Sequence, residues 1–268
     1  MQRIRNNFEI DYKHLVDEVM TLGDLRSTRN GNVKSLFGKT LKFDIQEGFP
    51  ILTGRKMFYK GVLGELAAML RGPSTLKDFE IQGCNYWSKW ATKEGKLELD
   101  YGNAWLDYNG VNQLQNVIDK LNNDPHDRRM IIDSWRPDRL EELSLPCCHY
   151  TYQFYVREGM YLDMVWTQRS ADTMIGIPAD AIFAAAWIIA LGNEVKLIPG
   201  EVTMNFGDTH IYEEHVGGVT EYMKEKIYDL PMATFNKPMG TKLVDFISAD
   251  LSLKDYKHGP KIEFELKA

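Results

Sequence analysis

Residues 149–191 read HYTYQFYVREGMYLDMVWTQRSADTMIGIPADAIFAAAWIIAL, and three signals in them set the fold class. Residues 149–156 are rich in Tyr, Thr, Phe and Val, side chains that suit a pleated surface, and predict a strand. Glu158-Gly159 supplies a turn, and residues 161–167 predict a second strand. Residues 179–191 predict a helix that is apolar nearly all round, which means burial on every side. Outward from this stretch, residues 11–23 place Leu15, Val16, Val19 and Met20 on one helical face, with Gly23 as a stop. In KTLKFDIQ, Leu41, Phe43 and Ile45 alternate with Lys42 and Asp44, the pattern of a half-buried strand. Residues 57–71 predict a mostly apolar helix that ends at Gly72-Pro73. Residues 113–122 predict an amphipathic helix carrying Leu114, Val117, Ile118 and Leu121. Residues 130–135 and 201–206 predict further strands, and the tail from Lys242 alternates again. Strands and helices mix without regular β-α-β alternation, so the class is α+β, in one domain over residues 1–268.

The chain's 44% hydrophobic content over 268 residues is enough for a substantial core. A net charge of -6 argues against a protein that coats nucleic acid, which needs a broad basic surface, but leaves room for a local anion pocket built from a few arginines. The opening MQRIRNNFEIDYKH lacks the long apolar run of a secretory signal. The most apolar stretch, residues 181–191, is too short to span a bilayer and is followed by Gly192, Asn193 and Glu194. Cys84, Cys147 and Cys148 offer neither a disulfide framework nor a CxxC metal pattern. A cytoplasmic protein without a membrane partner is expected.

Four groups of residues carry chemistry. Cys148 stands at the start of a predicted strand, just after Pro146, where a thiol can face a cleft; His149 and nearby arginines are expected to lower its pKa. Cys147 points to the opposite side of an extended chain. Arginines form the second group: Asp127-Arg128-Arg129 opens a strand, Gln168-Arg169-Ser170 closes another, and Arg29 lies in a loop. Guanidinium forks and a serine hydroxyl suit phosphate oxygens, although any single arginine is more often a solvated loop-end charge. The third is GDTHIYEEH, in which His210 and Tyr212 project the same way and suit a sugar hydroxyl. The spacing of His210 and His215, with no third ligand, does not make a zinc site. Glu65 is the fourth, a carboxylate among Leu63, Leu66 and Met69. It is either a solvated helix position or a buried acid-base group with a shifted pKa.

Read together, FGKTLKFDIQEGFPILT, GELAAMLRG, NYWSKWA, DYGNAW, NDPHDRRMIIDSW, LPCCH, QFYV, QRSADTMIGIP, GDTHIYEEH and DFISADLSLKDYKHGP resemble thymidylate synthase and its close relatives, the phage pyrimidine hydroxymethylases. Their order and spacing hold over nearly the whole chain. The resemblance implies a thymidylate synthase-like α+β fold, a mixed sheet with packed helices, working as an obligate homodimer. It implies binding of a pyrimidine nucleotide and of 5,10-methylenetetrahydrofolate as co-substrate, and no metal. Cys148 would add to C6 of the pyrimidine and make C5 nucleophilic. Glu65 would organise water and proton transfers, and Tyr101 would help remove the C5 proton. Arg29, Gln168, Arg169 and Ser170 match nucleotide ligands, and Arg128 and Arg129 match the pair that reaches the neighbouring subunit's site. His210 and Tyr212 match ligands of the deoxyribose 3′-hydroxyl. Trp87, Trp90, Asp172 and Gly176 match the folate side.

The chain departs from the family pattern in several places. Cys147 follows Pro146 where the family has a second proline, Leu106 stands where an arginine is common, and the loop around Arg29 is one residue short. Most telling is Pro178-Ala179-Asp180, where thymidylate synthases read Pro-Phe-Asn. The family asparagine faces N3 and the C4 substituent of the base. A carboxylate there accepts from the 4-amino group of cytosine, and its proton, or one shared with N3, satisfies the ring nitrogen. Opposite uracil O4 an ionised Asp180 sets acceptor against acceptor, at about 1–3 kcal/mol or more. Asp at this position resembles the phage deoxycytidylate hydroxymethylases, a resemblance that implies hydroxymethylation of dCMP, with reductive methylation of dCMP or dUMP as the alternative and a non-catalytic nucleotide- or RNA-binding relative as the reading from another class.

Overall fold

The computed structural model describes residues 6–267, so residues 1–5 of the segment read for a signal lie outside the described residues. In chain order the elements are α1 (Asn7–Leu22), β1 (Asp24–Thr28), β2 (Gly31–Asp44), α2 (Tyr59–Met69), α3 (Leu76–Glu80), α4 (Asn103–Leu106), α5 (Gln113–Asn123), β3 (Ile131–Asp133), β4 (His149–Arg157), β5 (Tyr161–Asp172), α6 (Gly176–Val195), β6 (Ile198–Tyr212), α7 (Val216–Lys224), β7 (Met232–Phe235) and β8 (Leu251–Lys254). Six strands form one sheet in the order β1-β2-β6-β5-β4-β3, and β7 pairs with β8. Within the large sheet only β5 and β6 run parallel, joined through α6, which makes the sheet mixed and the class α+β.

Local chemistry explains each boundary that matters to the site. At α1 the Asn6 side chain accepts from Glu9 N–H at 3.0 Å, an N-cap. Phe8, Tyr12, Leu15, Val16 and Val19 form its buried face. Gly23 ends it, for a Cβ there would lie 2.4 Å from the Val19 carbonyl. The β4–β5 hairpin turns through Glu158 and Gly159, both at positive φ. Helix α6 is buried nearly throughout, as its composition requires, and Trp187 stacks on Trp105 at 4.2 Å. Full burial of each of its large side chains, such as Ile182, Phe183, Ile188 and Leu191, contributes about 1.5–3 kcal/mol.

Three expectations are corrected. The α6 helix runs 20 residues, not the shorter span read from its apolar core. It is therefore long and apolar enough to cross a membrane, and it is burial, with 78% of its most apolar window inside the protein, that marks it as a core helix. Pro178 does not stop it because the third helical residue has no intrahelical acceptor for its N–H in any case. The alternation from Lys242 becomes a strand only over Leu251–Lys254. Finally, β2 and β6 are much longer than their apolar alternation, and β6 carries the GDTHIY segment along with it.

Candidate active site

A cleft of about 850 Å³ opens beside the ends of β4, β5 and β6 and the start of α6. Its lining includes Arg29, Glu65, Trp87, Trp90, Tyr101, Cys148, Gln168, Arg169, Ser170, Asp172, Gly176, Asp180, His210 and Tyr212. The fold thus gathers into one cleft residues that are up to 183 positions apart in the chain (212 − 29).

Cys148 directly precedes β4. Its N–H donates to the Tyr101 hydroxyl and its carbonyl accepts from Arg169 N–H at 2.8 Å. The two cysteines divide as expected, since Cys147 is 1% exposed and Cys148 is half-buried and lines the cleft. Arg169 reaches back over this segment, donating to the Cys147 carbonyl at 2.8 Å and the Pro146 carbonyl at 2.9 Å. The expected lowering of the thiol pKa does not follow. Burial pushes Cys148 up, and outweighs the pull of Arg169 and of the Tyr101 hydroxyl. His149 lends no charge, because burial drives its pKa down to about 3 and its Nδ1 meets the Tyr152 hydroxyl at 2.5 Å.

Glu65 is not a solvated helix position. Its Oε2 accepts from the Tyr86 hydroxyl at 2.6 Å and its Oε1 from the Trp87 indole at 2.8 Å. Burial raises it to about 7, against the opposing pull of those two donors. Trp87 thus lines the cleft and also holds Glu65, while its ring stacks on Phe79 at 4.9 Å and meets Trp90 at 5.3 Å.

Asp180 is the fifth residue of α6, past the first turn. Its Oδ2 accepts from Gln168 Nε2 at 2.8 Å. Gln168 has no freedom to flip: the Trp166 indole, which can only donate, points at Gln168 Oε1 from 3.1 Å, so the amide nitrogen faces Asp180. Burial raises Asp180 to about 8, with Gln168 opposing and Glu65 and Asp172 adding to the rise. Asp172 Oδ1 accepts from the N–H groups of Met174 and Ile175 at 2.8 and 3.1 Å, shaping the turn into α6 next to Gly176.

At the other wall, His210 Nδ1 lies 3.0 Å from Asp208 Oδ1, and Asp208 is itself tied to Ser35 Oγ at 3.0 Å and to Arg26 at 2.7 Å. The His210 and Tyr212 rings meet edge to face at 5.2 Å. Arg29, at the tip of the β1–β2 hairpin, lines the same cleft. Arg128 and Arg129 do not. They line a separate surface depression with Asp124, His126 and Asp127, and Arg129 forms a two-pronged pair with Asp127 at 2.9 and 2.8 Å. Among the described residues no group of three His, Cys, Asp or Glu is placed to hold a metal ion.

Sequence reasoning missed several lining residues. Arg55 and Lys56 follow an apolar run without any motif, and Arg55 is buried, donating to the Met174 carbonyl and lying 4.9 Å from the Phe264 ring. Phe264 and Lys267 come from the tail, whose alternation suggested only a strand. Tyr86 sat inside the quoted NYW segment with no role assigned.

A concave, aromatic-walled cleft with cationic side chains at its rim and two carboxyl groups raised by burial is the layout of an enzyme for a ring-bearing anionic substrate. The chain belongs to the thymidylate synthase family, whose model matches residues 10–268. Enzymes of this family transfer a one-carbon unit from methylenetetrahydrofolate to C5 of a pyrimidine nucleotide, and they are soluble and generally dimeric. The volume of the cleft lies in the upper range for small-molecule sites, and Trp87, Trp90 and Phe58 line it with ring surfaces.

Proposed function

We propose that this protein is a cytoplasmic deoxycytidylate 5-hydroxymethylase that uses Cys148 as its nucleophile. The observation that carries the substrate is the half-buried Asp180 on the cleft wall, raised to about 8 and held by an oriented Gln168. A carboxyl group near its midpoint supplies an acceptor for the cytosine 4-amino group and shares one proton with N3. The pyrimidine would lie between Cys148 and Asp180, with its phosphate toward Arg29, Arg169 and Ser170 and its 3′-hydroxyl toward His210 and Tyr212.

Attack of the Cys148 thiolate on C6 makes C5 a carbon nucleophile. The burial that raises the thiol pKa also makes the thiolate reactive once formed, with Arg169 beside it as counter-charge. Methylenetetrahydrofolate supplies the one-carbon unit to C5. Loss of the C5 proton, assisted by Tyr101, and departure of tetrahydrofolate leave an exocyclic methylene on the ring. Water adds to that carbon, Glu65 takes the water's proton, and Cys148 departs from C6 as thiolate, giving 5-hydroxymethyl-dCMP. Trp87, Trp90, Asp172 and Gly176 would line the folate side, and two subunits would each lend Arg128 and Arg129 to the other's phosphate.

Incubation with methylenetetrahydrofolate and either dCMP or dUMP tests this directly, with the product read by mass and the folate by dihydrofolate absorbance. Hydroxymethylated dCMP with no dihydrofolate is expected. Turnover confined to dUMP overturns the base assignment, and a methylated product with dihydrofolate replaces hydroxymethylation by reductive methylation.

A further inference from the structure

The two donors that hold Glu65 are not equivalent. The Trp87 indole can only donate, its ring is fixed by stacking on Phe79, and the residue is 4% exposed. Tyr86 is half-buried and lines the cleft beside Glu65. Once its proton is given to Glu65 Oε2, the Tyr86 oxygen, which also meets the Cys84 side chain, keeps a lone pair for one further donor. Tyr86 Oη and Glu65 Oε2 are thus two acceptors 2.6 Å apart on the cleft wall. A water that donates one proton to each has its own lone pairs turned into the cleft, the orientation needed to attack an electrophilic carbon.

The surroundings are consistent with this arrangement. Glu65 comes from α2, Cys84 and Tyr86 from the segment after α3, and Asp180 from α6. Tyr86 is held well above its ordinary range, first by burial and then by Glu65 and Cys84, so it remains a proton donor through neutral pH. Cys84 is likewise held up, first by burial and then by Glu65, so it stays an uncharged thiol. Glu65 disfavours the ionisation of Asp180.

We infer that Tyr86 is a positioning residue of this site, fixing the Glu65 carboxylate and forming with it a two-acceptor seat for one reactive water. The inference rests on the one-carbon-transfer reading above. In it the water gives one proton to Glu65 as its oxygen bonds to the exocyclic carbon, while Tyr86 keeps both partners in line. The indole alone would leave the carboxylate free to rotate about one hydrogen bond.

Tyr86→Phe in the full-length protein tests it with two independent readouts. The first needs no turnover: the Glu65 carboxyl stretch is titrated by infrared difference spectroscopy and assigned with Glu65→Gln. Loss of one donor to the carboxylate should raise its midpoint by about one pH unit. The second is turnover, in which kcat should fall about tenfold or more with little change in the nucleotide KM, and the acid limb of the rate profile should move up with the midpoint. An unchanged midpoint together with an unchanged kcat overturns the inference. If Tyr86→Phe does not fold by thermal unfolding, 3-fluorotyrosine at the same position replaces it. That isosteric, stronger donor should lower the Glu65 midpoint, and a midpoint equal to wild type overturns the inference. Wild-type protein that leaves dCMP and dUMP untouched would defeat the one-carbon reading alone, since the titration still decides whether Tyr86 holds Glu65.

Discussion

Replacing Asp180 by asparagine should reverse the base preference, and the geometry gives the reason. Trp166 fixes Gln168 so that its amide nitrogen donates to Asp180 Oδ2 at 2.8 Å. In Asp180→Asn the same donor draws the new carbonyl oxygen to that position, which leaves the amide NH2 facing the base. Against cytosine this sets donor against the 4-amino donor; against uracil it supplies the donor that O4 accepts. Each buried mismatch costs about 1–3 kcal/mol, and removing one for dUMP while creating one for dCMP doubles the swing. At about 1.4 kcal/mol per tenfold, kcat/KM for dCMP should fall about 5- to 150-fold, with a comparable gain for dUMP. The assay is competition between the two nucleotides at fixed methylenetetrahydrofolate, with products separated by mass. An unchanged ratio would show that the base is read by other groups and would refute the role given to Gln168 as well.

Four further outcomes are expected. The kcat/KM for dCMP should be greatest between about pH 7 and 8: below it Glu65, raised to about 7, gains a proton and is lost as a base, and above it Asp180, raised to about 8, loses the proton shared with N3; a plateau extending past pH 9 contradicts this. Because Asp180 has a raised folded pKa, its contribution to stability is complete below its ordinary pKa of 3.8 and is lost as pH rises through about 8, so Asp180→Asn should melt above wild type at pH 9 but not at pH 4. Cys148→Ser should abolish turnover, whereas Cys147→Ala should keep it; Cys148→Ser with residual hydroxymethylation, measured over long incubation, would reject the nucleophile. Finally, Arg128→Ala/Arg129→Ala and Cys148→Ala variants, each inactive alone, should regain turnover when mixed and refolded together, and a mixture that stays inactive speaks against shared sites.

What was legible in the sequence followed from short-range chemistry. A helix as apolar as α6 must be covered on every side, and a turn such as Glu158-Gly159 has few conformations to choose from. Cys148, Glu65 and Asp180 stood out because each is a costly or reactive group in an unexpected setting. Quantities that depend on the whole fold were not legible. Neighbouring arginines suggested an acidic thiol, but the depth of burial at Cys148 is a tertiary property and it outweighs Arg169. Arg55 and Phe264 meet only because the tail returns across the cleft, and no local pattern encodes a contact between residues so far apart. The partners of Glu65 were hidden for the same reason: Tyr86 and Trp87 are 21 and 22 positions away. Arg128 and Arg129 acquired a role only through the family resemblance, and within one chain they lie away from the cleft.

The central claim, a bond from Cys148 to a cytosine nucleotide, is tested most directly by trapping that bond. A fluorine at C5 cannot leave as a proton does, so a 5-fluoropyrimidine nucleotide should stop the reaction after the one-carbon unit is attached. Intact-mass and peptide mass spectrometry of the protein with methylenetetrahydrofolate and 5-fluoro-dCMP should show nucleotide and folate together on the peptide that contains Cys148, and much less with 5-fluoro-dUMP. An adduct formed only with the uracil analogue, or carried by any other residue, would contradict the account.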